Sequence, residues 1–563
     1  MSETSRDGAA ATIRNPVLPG FHPDPSIVRA EGRYVVATST FEWFPGIRLH
    51  ASDDLVHWRL VGHALTDPDH LPLRGIPDSG GVWAPSVSYE RGLYRIVYSV
   101  VRTMAGQTKD LDSFVTTAPT LEGLWDQPTY VGSRGFDPSL FTDDDGRLYL
   151  ASLRWDHRSG HAKFGGIVVQ ELDPVTFDRL GQAQVVHTSA ELVEGPNLYR
   201  RDGWYYLLLA EGGTGWNHGV RLARSRSLWG PYDEDPTPVL TTRDLDPAAT
   251  ALAGADGPSQ GWHKAGHGEL VEADDGGWYL VHLASRPVMT AEGPACVLGR
   301  ETCVQAVRWT QDGWLRLAHG STLPVTAVPA PVRAGGARAG SEGERRSQPE
   351  DGRLSPDSLG RSWVTLRAPA DTTWASWTDD SPSRLRLRGR DSLRSVVDQS
   401  LVAHRVTAPC VRLDAVVHAA PREPAHRAGV TAYYDTTGHL FWYLSTDDHG
   451  RRVLGRERRD AHHESDVELD VDVSGWTSVH MRLTVDRDLL QLAVSPDGAQ
   501  WQHVDEPHDT AALSDDHAGL LRFTGAFLGI AVSDLAERSC TADFADVTIT
   551  TEAAALARPE EPS

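Results

Sequence analysis

A two-part pattern recurs five times in the first half of the chain, and it limits the possible folds more than any other feature. In each copy a glycine turn is followed by an aromatic or aliphatic residue and then by an apolar run of strand composition. Glycine accepts the positive φ of a hairpin turn, and such runs are typical of strands. The five turns are Glu31-Gly32, Arg91-Gly92, Asp145-Gly146, Asp202-Gly203 and Gly276-Gly277.

Each turn is preceded, several residues earlier, by a second element that opens an apolar strand. Its five copies are Asp24-Pro25-Ser26, Ala84-Pro85-Ser86, Asp137-Pro138-Ser139, Gly195-Pro196-Asn197 and His267-Gly268-Glu269. The unit is therefore an inner strand, a turn and a second strand, with room for two more strands. Four-stranded units repeated around an axis form a β-propeller, so five blades are predicted. A β-sandwich whose hairpins are alike by chance does not account for five ordered double matches.

The composition changes after the last repeat, and 563 residues favour a second domain, because single cores stop growing at about 250–300 residues. Residues 329–349 have the Gly, Ala and charged composition of a linker. Alternating apolar residues then predict antiparallel strands. We expect an all-β protein, a five-bladed β-propeller followed by a jelly-roll β-sandwich. The predicted boundaries are an N-terminal tail at 1–14, the propeller at 15–326, a linker at 327–350, the sandwich at 351–552 and a C-terminal tail at 553–563.

The net charge of −23 limits the possible partners. Nucleic acids and anionic membrane surfaces require basic footprints, so neither is expected as a partner, and a small neutral molecule fits better. No apolar run reaches membrane-spanning length, and the N-terminus shows no apolar stretch of a secretory signal. The four cysteines form no C-x-x-C pair. These features predict a cytoplasmic protein.

Three carboxylates occur in matching local settings, at Asp24, Asp137 and Glu194. The flanking prolines of Asp24 predict a stiff, extended backbone for that residue. The phase of the repeat places the three carboxylates and His267 at one mouth of the propeller channel. Glycoside hydrolysis needs two facing carboxyls, and a third would raise the pKa of the acid. The repeat alone does not say which residue has which role.

Several segments resemble the β-xylosidases of glycoside hydrolase family 43, with a β-sandwich after the propeller. These segments are residues 15–26, 37–46, 81–85, 135–141, 188–199, 298–302 and 523–529. The resemblance implies a five-bladed propeller and hydrolysis with inversion at the anomeric carbon. It also implies that Asp24 is the general base and Glu194 the general acid, while Asp137 orients Glu194 and keeps its pKa high.

The resemblance further implies a set of substrate-binding residues and leaves the metal open. Candidate sugar contacts are Arg300, Trp83, Trp155, Phe41, Trp43, His267 and Phe527, and Phe527 of the sandwich is expected to reach over the pocket. No cofactor is required. Some relatives hold a divalent ion such as Ca²⁺ near the position of His267, and a hydrogen-bonding histidine without metal is the alternative. A homo-oligomer is also expected from the resemblance.

Three functions therefore compete. The first is an exo-acting β-xylosidase that removes xylose from the non-reducing ends of β-1,4-xylo-oligosaccharides. The second is an α-L-arabinofuranosidase, or dual activity, on the same scaffold, because details of the pocket separate the two. The third belongs to another class, a carbohydrate-binding protein without catalysis. The complete set of acid, base and modulator argues against the third.

Overall fold

A computed structural model of the chain describes residues 11–332, 352–461 and 463–551. Most of the predicted N-terminal tail, most of the linker and the whole C-terminal tail lie outside the described residues. Strands dominate the described part. Its helical segments are the α-helix Pro247–Ala253 between the fourth and fifth sheets and the short 3₁₀ turns Gly254–Asp256, Ala511–Leu513 and His517–Gly519.

The first domain consists of five antiparallel sheets, which we call blades 1 to 5. Blades 1 to 3 are Ser26–Ala30, Arg33–Thr38, Gly46–Ser52, Trp58–Leu65; Gly81–Glu90, Leu93–Val101, Leu111–Ala118, Thr129–Gly132; and Ser139–Thr142, Leu148–Trp155, Phe164–Leu172, Arg179–His187. Blades 4 and 5 are Val193–Arg201, Trp204–Glu211, Gly219–Ser225, Asp233–Glu234, with Leu240–Thr241 beside the third strand; and His263–Glu272, Trp278–Ser285, Glu301–Trp309, Leu315–Leu317. A hairpin, Val288–Thr290 and Gly293–Ala295, extends from blade 5.

The predicted glycine turns join the first and second strands of the blades. Gly32, Gly92, Gly146, Gly203 and Gly276 all have φ between 73° and 82°. In three of the turns the residue before the glycine, such as Glu31 at φ 51°, is also left-handed, as a type I′ hairpin requires. The five predicted units are thus five blades, and the predicted propeller is confirmed.

Every blade is built from strands that follow one another in sequence, so no strand exchanged between the first and last blades closes the propeller. Side chains and a short two-stranded ribbon close it instead. Thr12–Arg14 pairs with Ala327–Pro329 at the two ends of the domain. Asn15 donates to the carbonyls of Val304 and Val325 at 2.8 and 2.9 Å. The first and last blades are thereby held together without exchanging a strand.

The second domain is a sandwich of two antiparallel sheets, as predicted. The first has the order His463–Glu468, Arg452–Asp460, Gly438–Thr446, His426–Asp435, Phe527–Asp534, Ser400–Arg405, Trp363–Leu366, Trp43–Phe44. The second has the order Ala375–Trp377, Leu385–Arg388, Thr541–Thr551, Cys410–Ala419, Val479–Asp486, Leu489–Ser495, Gln502–His503, with His508–Asp509 also beside Leu489–Ser495. None of the helices in the described ranges is long and apolar enough to cross a membrane.

The propeller supplies the edge strand of the first sandwich sheet. Phe44 pairs with Thr365, and Trp43 pairs with Leu366. The indole of Trp43 also stacks on Phe527, with ring centroids 3.7 Å apart, and both side chains are fully buried. The two domains therefore share backbone hydrogen bonds and an apolar core, so they form one packed unit.

We predict that Phe527→Ala destabilises the whole protein, because truncating a buried phenylalanine costs about 3–5 kcal/mol and this ring fills the space between the domains. Thermal or denaturant unfolding of the purified variant measures the loss. Leu535→Ala is the control, since that side chain is 64% exposed just beyond the same strand. Equal effects of the two substitutions would contradict the account of the interface.

Candidate active site

One residue at the start of each blade's inner strand has a left-handed backbone. These residues are Asp24 (φ 53°), Ala84 (38°), Asp137 (53°), Gly195 (56°) and His267 (40°). The sequence led us to expect an extended backbone for Asp24, and that expectation is wrong. Such a φ is costly for non-glycine residues and persists only where the surroundings enforce it. The equivalent position at the start of the inner strand has this left-handed backbone in all five blades.

The five triplets that begin with these residues line a single small cavity, into which every blade contributes. This common lining places the inner strands around one axis, as the repeat predicted. Glu194 precedes the ring position of blade 4 by one residue, and Gly195 occupies the position itself. Glu194 is therefore offset by one residue from the position that Asp24 and Asp137 occupy in their blades.

Above this ring lies a pocket of about 260 Å³ with Asp24, Asp137 and Glu194 in its lining. The three side chains are each at least 92% buried. The structure therefore brings together the three carboxylates that the sequence had singled out. His267 and Arg300 line the same pocket.

Two neighbours hold the carboxyl group of Asp24 in place. Its Oδ2 accepts a hydrogen bond from the hydroxyl of Ser39 at 2.7 Å, and its Oδ1 accepts one from Nη1 of Arg300 at 3.2 Å. The Ser39 oxygen in turn accepts from the backbone N–H of Ala84 at 2.8 Å, which fixes the hydroxyl. Nδ1 of His267 lies 3.9 Å from the same Oδ1. Hydrogen bonds and a guanidinium favour the charged carboxylate.

Glu194 and Asp137 lie in an environment that favours the protonated form. Burial, followed by the negative charge of Asp24, raises the pKa of Glu194 to about 7, while Arg300 opposes the rise. Burial and then the charges of Glu194 and Asp24 raise the pKa of Asp137 well above its usual range. The backbone N–H of Gly195 donates to Asp137 at 3.2 Å. Near neutral pH these raised pKa values favour a proton on the pair.

Arg300 is almost fully buried and connects the two domains at the pocket. Its Nη2 donates to the backbone carbonyl of Phe523 in the sandwich at 2.6 Å, while its Nη1 binds Asp24. Its guanidinium lies 5.8 and 5.5 Å from the ring centroids of Phe41 and Phe523. Its Nε has no hydrogen-bond partner in the described part of the chain.

Aromatic rings form the walls of the pocket. Phe41, Trp83 and Trp155 line it, as the sequence had suggested, and Phe136, Phe164 and Phe523 line it in addition. Trp83 packs edge-on against Phe523, with ring centroids 5.2 Å apart. The missed Phe136 directly precedes Asp137, and Phe523 begins the last segment of the resemblance. Both signals were therefore present in the sequence.

Two predicted sugar contacts, Trp43 and Phe527, are not in the pocket. Each has no exposed surface, because the two rings stack on each other between the domains. Phe527 is the first residue of a buried sandwich strand, so its ring is enclosed. Phe523 lies four residues earlier, before that strand begins, and it is this residue of the sandwich that reaches the pocket.

The outer part of the pocket contains residues that the motifs had not indicated. They are Met104, Lys109, Lys163, Leu192, Gly213, Thr214 and Leu521. Lys109 is 95% buried, and burial together with the charge of Lys163 lowers its pKa to about 8. The rarity of lysine in the sequence could have revealed Lys109 and Lys163. The chain has only three, Lys109, Lys163 and Lys264.

The donors around His267 do not form a protein cage for Ca²⁺. Within the described ranges, the only group of three His, Cys, Asp or Glu ligand atoms within 4.8 Å of one another is Cys296, Asp515 and Asp516. There the ammonium of Lys264 already binds both aspartates. Ca²⁺ takes six to eight oxygen ligands, and the nearest carboxylate to His267 is bound to Arg300.

Comparison with known proteins gives a consistent result over both domains. A sequence model of the Glycosyl hydrolases family 43 matches residues 13–315, and one of the Beta xylosidase C-terminal Concanavalin A-like domain matches residues 355–550. The chain is 38% identical to "Xylosidase/arabinosidase 43B" of Humicola insolens, over 94% of this chain and 96% of that protein. It is 39% identical to "Xylan 1,3-beta-xylosidase" of Vibrio sp, over 95% and 98%.

A solved structure agrees with this result. The crystal structure of xylan beta-1,4-xylosidase from Bacillus halodurans C-125 superposes with a TM-score of 0.86 at 40% identity, covering 96% of this chain and all of that one. The matched family model spans more than half of the residues, and it includes the three carboxylates and Arg300. The chain therefore belongs to glycoside hydrolase family 43.

Proposed function

We propose that the protein is an exo-acting, inverting β-xylosidase that releases xylose from the non-reducing ends of β-1,4-xylo-oligosaccharides. The observation that carries the proposal is the form of the pocket. Its deep part holds the three carboxyls, and Arg300 holds Phe523 of the sandwich against it. A pocket closed in this way accepts a chain end and excludes the interior of a polymer. The names of the relatives support xylose as the sugar.

Asp24 acts as the general base in this proposal. Ser39 and Arg300 fix both of its oxygens, so the carboxylate is oriented before substrate arrives. It accepts a proton from a water molecule as that water attacks the anomeric carbon from the face opposite the leaving oxygen. Arg300 compensates the charge of the base before the reaction and lines the pocket beside the sugar.

Glu194 acts as the general acid, because its raised pKa leaves it protonated near neutral pH. It donates its proton to the glycosidic oxygen as the bond to the anomeric carbon breaks. Asp137 is a positioning residue. It binds the backbone N–H of Gly195, the residue after the acid, and each carboxyl of this buried pair disfavours ionisation of the other.

An α-L-arabinofuranosidase activity on the same scaffold is the second candidate. The observation in its favour is the name of one relative, "Xylosidase/arabinosidase 43B". The cytoplasmic location, the homo-oligomer and a cation near His267 stay predictions from the sequence.

The proposed function is tested with nitrophenyl β-xyloside, nitrophenyl α-L-arabinofuranoside and xylobiose as substrates. We expect xylose to be released from xylobiose, and NMR of the first product to show the α anomer, as inversion requires. Release of the β anomer would contradict inversion. Hydrolysis of the arabinofuranoside alone would instead favour the second candidate.

We predict that Asp24→Ala and Glu194→Ala differ in their dependence on the leaving group. Loss of the base slows hydrolysis of every xyloside, by about 10²–10⁴-fold or more. Loss of the acid slows xylobiose by a similar factor but has little effect on 2,4-dinitrophenyl xyloside, whose leaving group departs without a proton. Measurement of kcat for both substrates decides. An equal loss on both substrates in Glu194→Ala would remove this residue from the role of acid.

We also predict that kcat/KM for xylobiose falls about tenfold per pH unit above pH 7, because Glu194, with a pKa of about 7, must carry its proton. The decrease starts as pH rises through that pKa, since deprotonation removes the acid. With 2,4-dinitrophenyl xyloside the same limb should be absent. Its presence with that substrate would assign the limb to a group other than the acid.

A further inference from the structure

The three lysines of the chain are concentrated around the active site, in a protein that otherwise uses arginine as its cation. There are 54 Lys and Arg residues in total, and only positions 109, 163 and 264 are lysine. Lys264 binds Asp515 and Asp516 of the sandwich. Lys109 and Lys163 both line the catalytic pocket. We therefore ask which anion Lys109 and Lys163 bind in the pocket.

Lys109 and Lys163 lie beside one indole ring. Their Nζ atoms are 4.8 and 5.9 Å from the ring centroid of Trp155. Nζ of Lys109 also lies 5.0 Å from the ring of Trp83 and donates to the carbonyl of Thr103 at 3.4 Å. In the described part of the chain, no carboxylate oxygen lies within 4.0 Å of either ammonium group. Two like charges thus share a site, one of them nearly buried, without an anion.

The carboxyls deeper in the pocket do not neutralise this pair. Asp24 is compensated by Arg300, and the raised pKa values of Glu194 and Asp137 keep protons on that pair near neutral pH. The outer pocket is therefore positive, although the whole protein carries −23. A cation held in a partly desolvated site attracts an anion more strongly than one in water does.

The positive region continues outside the pocket. A neighbouring depression of about 920 Å³ shares Trp155 with the pocket and is lined by Arg134 and Arg154. Among the described residues, no carboxylate partner lies within 4.0 Å of either guanidinium. The arginine next along the chain in this lining, Arg158, is by contrast paired with Asp156 at 2.5 Å. The unpaired cations are thus grouped around one tryptophan.

The burial of the pocket residues indicates which part of the substrate contacts the two lysines. The carboxyls of the proposed reaction are buried at the inner end, whereas Lys163 and Leu521 are exposed at the rim. The terminal sugar occupies the inner end in an exo-acting enzyme, so the leaving group lies toward the rim. Trp155 offers an apolar face to its ring, and the two ammonium groups lie beside that face.

We propose that the leaving-group side of the pocket binds a carboxylate, so that the enzyme prefers xylosides whose leaving group is an acidic sugar such as a uronic acid. This inference rests on the proposed function, since it concerns the second half of the same substrate. Lys163 and Lys109 bind the carboxylate, and Trp155 packs against the sugar ring that carries it. Arg134 and Arg154 hold further acidic groups of a longer leaving group.

The test compares two disaccharides that differ only in charge, xylose β-1,4-linked to glucuronic acid and the same compound with glucuronamide. The carboxylate or amide is attached to C5, next to the C4 that bears the glycosidic oxygen, so any intrinsic difference in leaving ability is the same in every variant and cancels when the ratios of variants are compared. We expect kcat/KM for the acid to exceed that for the amide about tenfold at low salt. The ratio should decrease as ionic strength rises, because rim charges are screened.

Substitutions at the exposed lysine give the matched comparison. Lys163→Met should lower the acid-to-amide ratio about fivefold, and Lys163→Arg, which keeps the charge, should retain it. Lys109→Met should lower the ratio at least as much. The ratio is measured within each variant, so a general loss of activity does not affect it. A wild-type ratio of one or less, or a ratio that neither methionine variant changes, would overturn the inference.

Neutral xylobiose separates this inference from the proposed function. Release of xylose from xylobiose supports the β-xylosidase activity whatever the acid-to-amide ratio is. If xylobiose is cleaved and the ratio is one or less, only the carboxylate site is refuted. If xylobiose, the glucuronic acid disaccharide and the glucuronamide disaccharide all remain uncleaved, the proposed function is refuted. The inference, which rests on that function, is then refuted as well.

Discussion

The buried guanidinium of Arg300 is the contact on which the site depends. It immediately precedes the third strand of blade 5. It binds the carboxylate of Asp24 in blade 1 and donates to the carbonyl of Phe523 in the sandwich. A buried charge without a partner is costly, so this arginine requires all three elements to be in place at once. The first blade, the last blade and the second domain are therefore assembled around one cation. The reacting groups acquire their positions from that assembly.

The three carboxyls of the pocket have different partners. Asp24 has a cation and a hydroxyl as neighbours, whereas burial is the main cause of the raised pKa of both Glu194 and Asp137, followed by the charges of neighbouring carboxylates. Similar local sequence around Asp24 and Asp137 does not give the two carboxyls similar surroundings. The chemistry of the site is decided by residues from other blades and from the sandwich.

The sequence was sufficient for the architecture and for the acidic residues. Glycine turns and the triplets that precede them carry the repeat, and a repeat in sequence specifies a radial fold directly. The distinction between Phe523 and Phe527 could not be made in this way. Both lie in one apolar segment, and only the point where the strand begins decides which ring is enclosed. The left-handed backbone of Asp24 also escaped prediction, because the neighbouring blades impose it against the preference of the local sequence.

The shared strand Trp43–Phe44 has a consequence for how such proteins can be divided and recombined. Without it, Trp363–Leu366 would form an open sheet edge, and open edges invite pairing with other chains. The propeller thus protects its neighbour from self-association as well as packing against it. A hybrid of this sandwich with a related propeller would need a matching two-residue edge strand and its tryptophan. Evolution within this architecture is expected to exchange the two domains together.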